Sequence, residues 1–415
     1  MVHGGACLAH FDDGATAFIE NAIPGELVEA RLRFAKGRSW FAVATRIIEA
    51  SPDRVAAPCR YVPECGGCQL QHVGYARQLE LKREIVVDAL RRQRVPMPAT
   101  VGVHAMDDPW RYRFRGEFHV VPGENALRDA QLGFNRSRSW SPIAVDDCLI
   151  HHERITTAIP MLRDVVRKGG KRELGTLHLT VGEGGAELLV QGKPRAALDG
   201  HAVDAMATSL PVGGRLSTEW TTLRWRERTY RVRADTFIQV NWKMMDVLYA
   251  RVLAGLGDHA GRRVVDAYAG IGVLACVLAT QAREVVCIES NRAAARTGVL
   301  NARVNDVADR VRYVVAAVER GLPDVAAVEP IDLVVLDPPR AGCAAPVTAW
   351  LALAGPPRAV YVSCDPATLA RDLHLLVTSG PYRIESLDVV DMFPQTYHVE
   401  CVVALVRDDG ALERP

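Results

Sequence analysis

The sequence predicts an α/β protein: a doubly wound parallel sheet that follows a small OB-like β-barrel and a β-rich α+β segment. Three observations carry this. After residue 245 short apolar runs alternate with stretches of helical period, the rhythm of repeated βα units. A glycine turn, Asp266-Ala-Tyr-Ala-Gly270-Ile-Gly272, stands between one such run and the helix behind it. Before residue 55, alternating apolar residues are broken at short intervals by Gly and Pro.

The front segment, 1–55, turns at Gly4-Gly5 and reads as strands Thr16–Glu20, Leu27–Phe34 and Trp40–Ile48, with Pro24-Gly25 between the first two. That spacing suggests an OB-type barrel, its first strand expected to be missing. Ser51-Pro52 and Pro58 mark a linker. Residues 72–94 read as a helix, with Leu79, Ile85, Val86 and Leu90 among charges and Pro96 and Pro98 behind it. From 110 to 233 strands dominate (Phe118–Val121, Leu177–Val181, Glu187–Gln191, Tyr230–Val232), with one helix around 152–167. The expected divisions are thus 1–55, a central domain 56–234 and an α/β domain 235–415, with helix 72–94 a candidate to pack on the last. In the α/β domain strands are expected at Arg263–Ala267, Glu284–Ile288, Val311–Val315, Leu333–Leu336 and Ala359–Ser363, and helices at Asn291–Arg303 and Pro366–Val377 among others. A closing pair, 383–392 and 399–406, has no helix between and adds an antiparallel strand. Ligands of such sheets bind at the carboxyl ends of the strands.

The composition, 49% apolar and 24% charged over 415 residues, is enough for a large core and excludes a disordered or collagen-like chain. No apolar run approaches the roughly 18 residues of a membrane span, and no charged-then-apolar leader follows Met1. A cytoplasmic monomer without a membrane partner is expected. The formal charge of +1 hides an uneven distribution: 27 basic and 20 acidic residues in 56–234, against 17 and 22 in 235–415. A basic middle segment suits a polyanionic partner. Ten cysteines are too sparse for a disulfide scaffold, so clustered ones point to metal or catalysis.

Five motifs carry chemistry. In the first, Gly270 and Gly272 let the backbone turn close to a ligand at a helix start, and Glu289, after the next strand, can take both hydroxyls of a ribose. Lacking a full G-x-G-x-x-G, the pattern favours S-adenosylmethionine over a dinucleotide. The second, Asp337-Pro-Pro-Arg340, ends the fourth strand beside that turn. Enzymes that methylate exocyclic amines carry a similar D-P-P, but with an aromatic where Arg340 stands. The third, Tyr361-Val-Ser-Cys364-Asp-Pro366, puts a thiol between a strand and a helix that Asp365 can cap. The partial positive charge at the helix start favours the thiolate, and Asp365 opposes it. Cys276, Cys287 and Cys401, inside apolar elements, read as structural. In the fourth, Glu400 interrupts the apolar run Val399–Val403. The fifth is Cys59-x5-Cys65-Gly-Gly-Cys68 with Cys148 downstream, thiols that suit an iron–sulfur cluster first and zinc second.

On these motifs the chain resembles the bacterial RNA uracil-5-methyltransferases, particularly the ribosomal-RNA branch, and the resemblance spans essentially its whole length. It implies a Rossmann-like methyltransferase sheet, S-adenosylmethionine as donor, and a front barrel of the TRAM type that binds RNA. It implies a [4Fe-4S] cluster on Cys59, Cys65, Cys68 and Cys148. Phe237-Ile-Gln239-Val-Asn241 matches a family signature, and Gln239, Tyr268, Gly270, Glu289 and Asp337 match donor contacts. Cys364 matches the nucleophile and Glu400 the base. The implied partner is RNA, ribosomal before transfer RNA, with an exocyclic amine as the remaining alternative substrate. Arg111, Arg113, Arg115, Arg136 and Arg138 are expected to grip phosphates. Asp365 stands where the family more often has Asn, and Val273 and Ala317 where some members carry polar residues.

Overall fold

The computed structural model describes residues 1–124, 126–168, 174–182, 187–194, 215–217, 220–233 and 236–408, so the expected boundary at 234–235 lies outside the described residues. Among them the chain forms four sheets.

The front sheet comprises β1 (Cys7–His10), β2 (Thr16–Glu20), β3 (Leu27–Lys36) and β4 (Ser39–Glu49) in the order β1-β2-β4-β3. Only the β2–β4 pair is parallel. No β1–β3 pairing is present among the described residues, and β3 is an exposed edge of the small β-sheet that stands where the barrel is expected. Phe41 holds the sheet's outer face together, stacked between Phe18 at 5.1 Å and Phe34 at 4.6 Å.

Helix α1 (Tyr75–Arg92) buries Leu81, Ile85, Val86 and Leu90 on one stripe and carries Arg91 and Arg92 in its last turn, where cations suit the helix dipole. It packs on the α/β domain. The three-residue β5 (Gly102–His104) follows and pairs in parallel with the far edge of the eight-stranded sheet of the α/β domain.

The central sheet takes β6 (Arg115–Gly123), β7 (Ala126–Asn135), β8 (Pro142–Ala144), β9 (Leu174–Val181), β10 (Glu187–Pro194) and β11 (Arg215–Ser217) in the order β11-β10-β9-β6-β7-β8. Helix α2 (Glu153–Lys168) covers it with buried Ile155, Ile159, Leu162 and Val166. The hairpin of β12 (Thr221–Trp225) and β13 (Arg228–Val232) instead docks on the α/β domain, where Asn301 and Asn305 bond the backbone of Arg231 and Thr229.

The α/β domain opens with α3 (Trp242–Leu256), capped by the Asn241 side chain. It continues β14 (Arg263–Ala267), α4 (Val273–Leu278), β15 (Glu284–Ile288), α5 (Arg292–Val304), β16 (Val311–Val314), α6 (Val318–Val328), β17 (Leu333–Leu336), α7 (Ala345–Ala354), β18 (Arg358–Ser363), α8 (Pro366–Leu373), β19 (Tyr382–Val390) and β20 (Glu400–Arg407). Sheet order is β16-β15-β14-β17-β18-β20-β19-β5, with β14 to β18 parallel and β20 antiparallel to both neighbours. Helices cover both faces, so the central strands are continuous apolar runs; Val264, Val265, Val334 and Val335 are fully buried. A single π-turn, His374–Thr378, extends α8. Among the described residues no helix is long and apolar enough to cross a membrane.

Candidate active site

The carboxyl ends of β14, β15, β17 and β18 meet at one place. After β14 the chain turns through Tyr268, Gly270 and Gly272 at φ +67°, +55° and +77°, all left-handed. At Gly272 a second constraint adds to φ: a Cβ there would lie 2.4 Å from the Tyr313 hydroxyl, which donates to the Gly270 carbonyl at 3.4 Å. Glu289, after β15, accepts the Gly270 N–H at 2.9 Å and the Asn291 N–H at 2.6 Å, so its carboxylate braces the turn from behind. The turn opens on a cavity of about 60 Å³ lined by Gln239, Tyr249, Asp266, Tyr268, Gly270 and Asp337. Every donor-contact residue expected from the sequence except Glu289 lines this cavity, and Glu289 bonds its rim.

The electrostatics say what fits there. Asp266 is buried, and its Oδ2 has no hydrogen-bond partner. Burial, then the neighbouring Asp337 and Glu289 charges, pushes its carboxyl up to about 8. Burial lifts Asp337 to about 7. Buried carboxyls that resist ionisation call for a cation, which an ammonium or sulfonium group supplies.

Cys364 leaves β18 beside this cavity. Its neighbour Ser363 pairs with Cys401 across the antiparallel β18–β20 ladder, so one step further the register sets Cys364 opposite Glu400. Asp337 emerges from the adjacent β17. Thiol, carboxylate and donor cavity thus share one strand-end cluster. Burial, then the Glu400 and Asp337 charges, raises the Cys364 thiol to about 11, while Arg340 pulls it down. Of the two opposing local effects at the helix start, the pull toward the thiolate does not prevail. Asp365 fills the α8 cap, accepting the N–H groups of Ala367 at 3.0 Å and Thr368 at 2.9 Å, and the surrounding carboxyls outweigh what remains of the dipole. Glu400, 3% exposed, is held well above the usual carboxylate range by burial and then by Asp337, again against Arg340.

Arg340 is therefore a site residue that the sequence analysis passed over; the signal was its place after Asp337-Pro-Pro. Its Nη2 lies 3.3 Å from His398 Nδ1, and burial and this guanidinium lower the imidazole to about 3. Also unforeseen is a buried ion pair beneath the loop entering β20: Lys82 Nζ meets Asp391 Oδ1 at 2.6 Å and the Phe393 carbonyl at 2.9 Å, and the Tyr75 hydroxyl donates to Asp391 at 2.9 Å.

Cys59, Cys65, Cys68 and Cys148 line one cavity of about 160 Å³, together with His151, whose Nδ1 is 3.0 Å from the Cys148 sulfur. Burial pushes the Cys65, Cys68 and Cys148 thiols up, Cys148 to about 11. Among the described residues no three His, Cys, Asp or Glu side chains are grouped so as to hold a metal ion. Cys276, Cys287 and Cys401 are buried, as their apolar surroundings in the sequence imply. Most of the arginines expected to grip phosphate have partners within the chain: Arg111 takes Asp147 in two bonds of 2.8 and 3.0 Å, Arg136 pairs with Glu64, Arg138 with Glu20, and Arg115 reaches the Arg233 carbonyl at 3.2 Å.

A glycine turn braced by an acidic residue, on a doubly wound sheet closed by an antiparallel strand, with thiol and carboxylate at the strand ends, defines a methyltransferase of the Rossmann-like class. The sequence profile of the tRNA (Uracil-5-)-methyltransferase family matches residues 217–408. An uncharacterized RNA methyltransferase of Gloeobacter violaceus is 34% identical, covering 98% of this chain and 95% of the relative. The 23S rRNA (uracil(1939)-C(5))-methyltransferase RlmD of Pseudomonas putida is 34% identical over 94% of this chain and 89% of its own. Among solved structures, the Pyrococcus abyssi tRNA (uracil-54, C5)-methyltransferase in complex with S-adenosyl-L-homocysteine superposes with a TM-score of 0.74 at 25% identity, covering 97% of this chain and 99% of that one. The chain belongs to the RNA uracil-5-methyltransferase family, S-adenosylmethionine-dependent enzymes, as the motifs implied.

Proposed function

We propose that the protein methylates C5 of a uridine in 23S ribosomal RNA through a covalent adduct between Cys364 and C6 of the base. The observation that carries this reading is the cross-strand placement of Cys364 against Glu400, beside Asp337 and the donor cavity. C5 of uracil is too weak a nucleophile to take a methyl group directly. Addition of a thiolate to C6 makes the ring an enolate with C5 as its nucleophilic carbon. Cys364 makes that bond. S-adenosylmethionine supplies the methyl group. Glu400 then takes the C5 proton, and the electrons of the C5–H bond re-form the C5–C6 double bond as the Cys364 sulfur leaves. Gln239, Tyr268, Gly270, Glu289 and Asp337 form the donor site, and the orphaned Asp266 oxygen suits its cationic end. The charge of Arg340 favours the ionised form of both Cys364 and Glu400. A stacked base exposes neither C5 nor C6 to these groups, so the uridine must leave its stack.

Ribosomal RNA is preferred because relatives named for it reach 34% identity over most of the chain, against 25% for the transfer-RNA enzyme of known structure. An exocyclic amine is disfavoured, since it leaves Cys364 without a task. Segments 1–55 and 56–234 we read as the RNA-binding parts, the front sheet as a TRAM-type domain, and the enzyme as a cytoplasmic monomer. Cys59, Cys65, Cys68 and Cys148 we assign to a [4Fe-4S] cluster on their lining of one cavity, although their thiols are not drawn together as ligands here; a cluster would tie the 59–68 loop to the segment before α2. Mass mapping of 23S ribosomal and transfer RNA from cells lacking the protein tests the substrate. Loss of one 5-methyluridine from 23S RNA is expected. Loss from transfer RNA alone would transfer the assignment.

A further inference from the structure

The loop 391–398, which delivers the chain to Glu400, lacks regular secondary structure, and its shape is set by a distant segment. Gln395, at its bend, is buried and left-handed at φ +68°, a conformation a non-glycine residue keeps only where its surroundings impose it. Its carbonyl accepts the N–H groups of Gln69 at 3.1 Å and Leu70 at 3.0 Å, the two residues after Cys68. Its own N–H donates to Gln78 Oε1 at 3.1 Å, and Gln78 Nε2 donates back to Gln395 Oε1 at 3.0 Å. The same Nε2 reaches the Leu70 and Val73 carbonyls at 3.1 and 2.9 Å. Gln69 completes the tie: its Oε1 accepts the Tyr397 N–H at 3.4 Å, and its Nε2 donates to the Gly66 carbonyl at 2.6 Å.

We propose that Gln78 and Gln69 are positioning residues for the methylation: they latch the cysteine loop 65–73 to loop 391–398 and so place the Glu400 carboxylate for removal of the C5 proton. Glu400 is the first residue of β20, held by the ladder on its carboxyl side and by this latched loop on the other. Cys364 and Asp337 follow the parallel strands β18 and β17, and none of the latch hydrogen bonds falls on them. A base misplaced by about 1 Å loses on the order of a hundredfold in rate, so the latch acts on the step that uses Glu400 and not on the step that forms the adduct.

This rests on Glu400 being the base, and the test separates the two. Wild type, Gln78→Met, Gln69→Ala and Glu400→Gln are followed in single turnover on unmodified RNA, with the covalent adduct resolved on denaturing gels and S-adenosylmethionine affinity measured alongside. Expected for Gln78→Met is adduct formation close to wild type, decay slower by about tenfold or more, and unchanged donor affinity, with Gln69→Ala moving decay the same way by less. Should Gln78→Met fail to bind donor through misfolding, Gln69→Ala carries the test. Wild-type decay in the folded variants, or equal loss of formation and decay, overturns the latch. Glu400→Gln that does not accumulate adduct overturns the base assignment itself, and with it the latch.

Discussion

Replacing Lys82 by Met removes one half of a fully buried ion pair. Lys82 is 0% exposed and Asp391 1%, with 2.6 Å between Nζ and Oδ1. Breaking such a pair from one side typically costs about 3–5 kcal/mol, because the remaining charge stays in a low-dielectric site. Here the Tyr75 hydroxyl still donates to Asp391, which favours the lower end, about 3 kcal/mol. At roughly 2–4 °C per kcal/mol for a body of this size, the melting temperature should fall by about 6–12 °C. The double variant Lys82→Met, Asp391→Asn leaves no stranded charge and should recover part of the loss, giving a coupling energy above about 1 kcal/mol in a double-mutant cycle. Thermal and denaturant melts of the four proteins supply the numbers. A single variant within about 2 °C of wild type, or additive losses in the double, would refute the strength assigned to this pair.

Three further outcomes follow from the site. Because the Cys364 thiol is raised to about 11, its thiolate fraction grows about tenfold per pH unit below that value; adduct formation should climb from pH 7 to 9, more slowly in absolute rate for Arg340→Gln, and a flat profile would exclude Cys364 as the rate-setting ionisation. Asp266 at about 8 and Asp337 at about 7 hold protons at pH 6 that a cationic donor disfavours, so calorimetry should find S-adenosylmethionine binding tightening from pH 6 to 8.5 with proton release, more than for S-adenosylhomocysteine; equal pH dependence for the two would contradict it. Purified without oxygen, the protein should carry about four irons per chain, and Cys148→Ser should lose them and melt earlier; one zinc and no iron would replace the cluster assignment.

The βα rhythm was legible because each buried parallel strand is a short apolar run framed by a helix of different period: Arg263–Ala267, Glu284–Ile288 and Leu333–Leu336 are strands over the expected residues. The placement of Cys364 at a strand end could be read for the same reason, since it closes an apolar run; Glu400 was legible as a carboxylate inside an apolar run, but its place as the first residue of β20 was not. What escaped reading depends on contacts distant in sequence. Gly102–His104 is too short to announce itself, and its partner Val390 lies nearly three hundred residues on. Lys82 looks like any surface lysine of an amphipathic helix until Asp391 arrives beneath it. The net acidity of the thiol was not legible because helix dipole and cap are local, whereas burial and the Asp337 and Glu400 charges come from other strands. The partners of Arg136 and Arg138, Glu64 and Glu20, likewise come from segments that composition cannot place beside them.

The central claim, a covalent adduct at Cys364, is tested most directly by trapping. RNA with 5-fluorouridine at the target cannot lose a C5 proton, so the enzyme should stall after methyl transfer as a gel-stable complex. Digestion and mass spectrometry should then find the methylated fluorouridine on the peptide containing Cys364, and Cys364→Ala should form no complex. An adduct mapped to another cysteine, or one that persists in Cys364→Ala, would contradict the account.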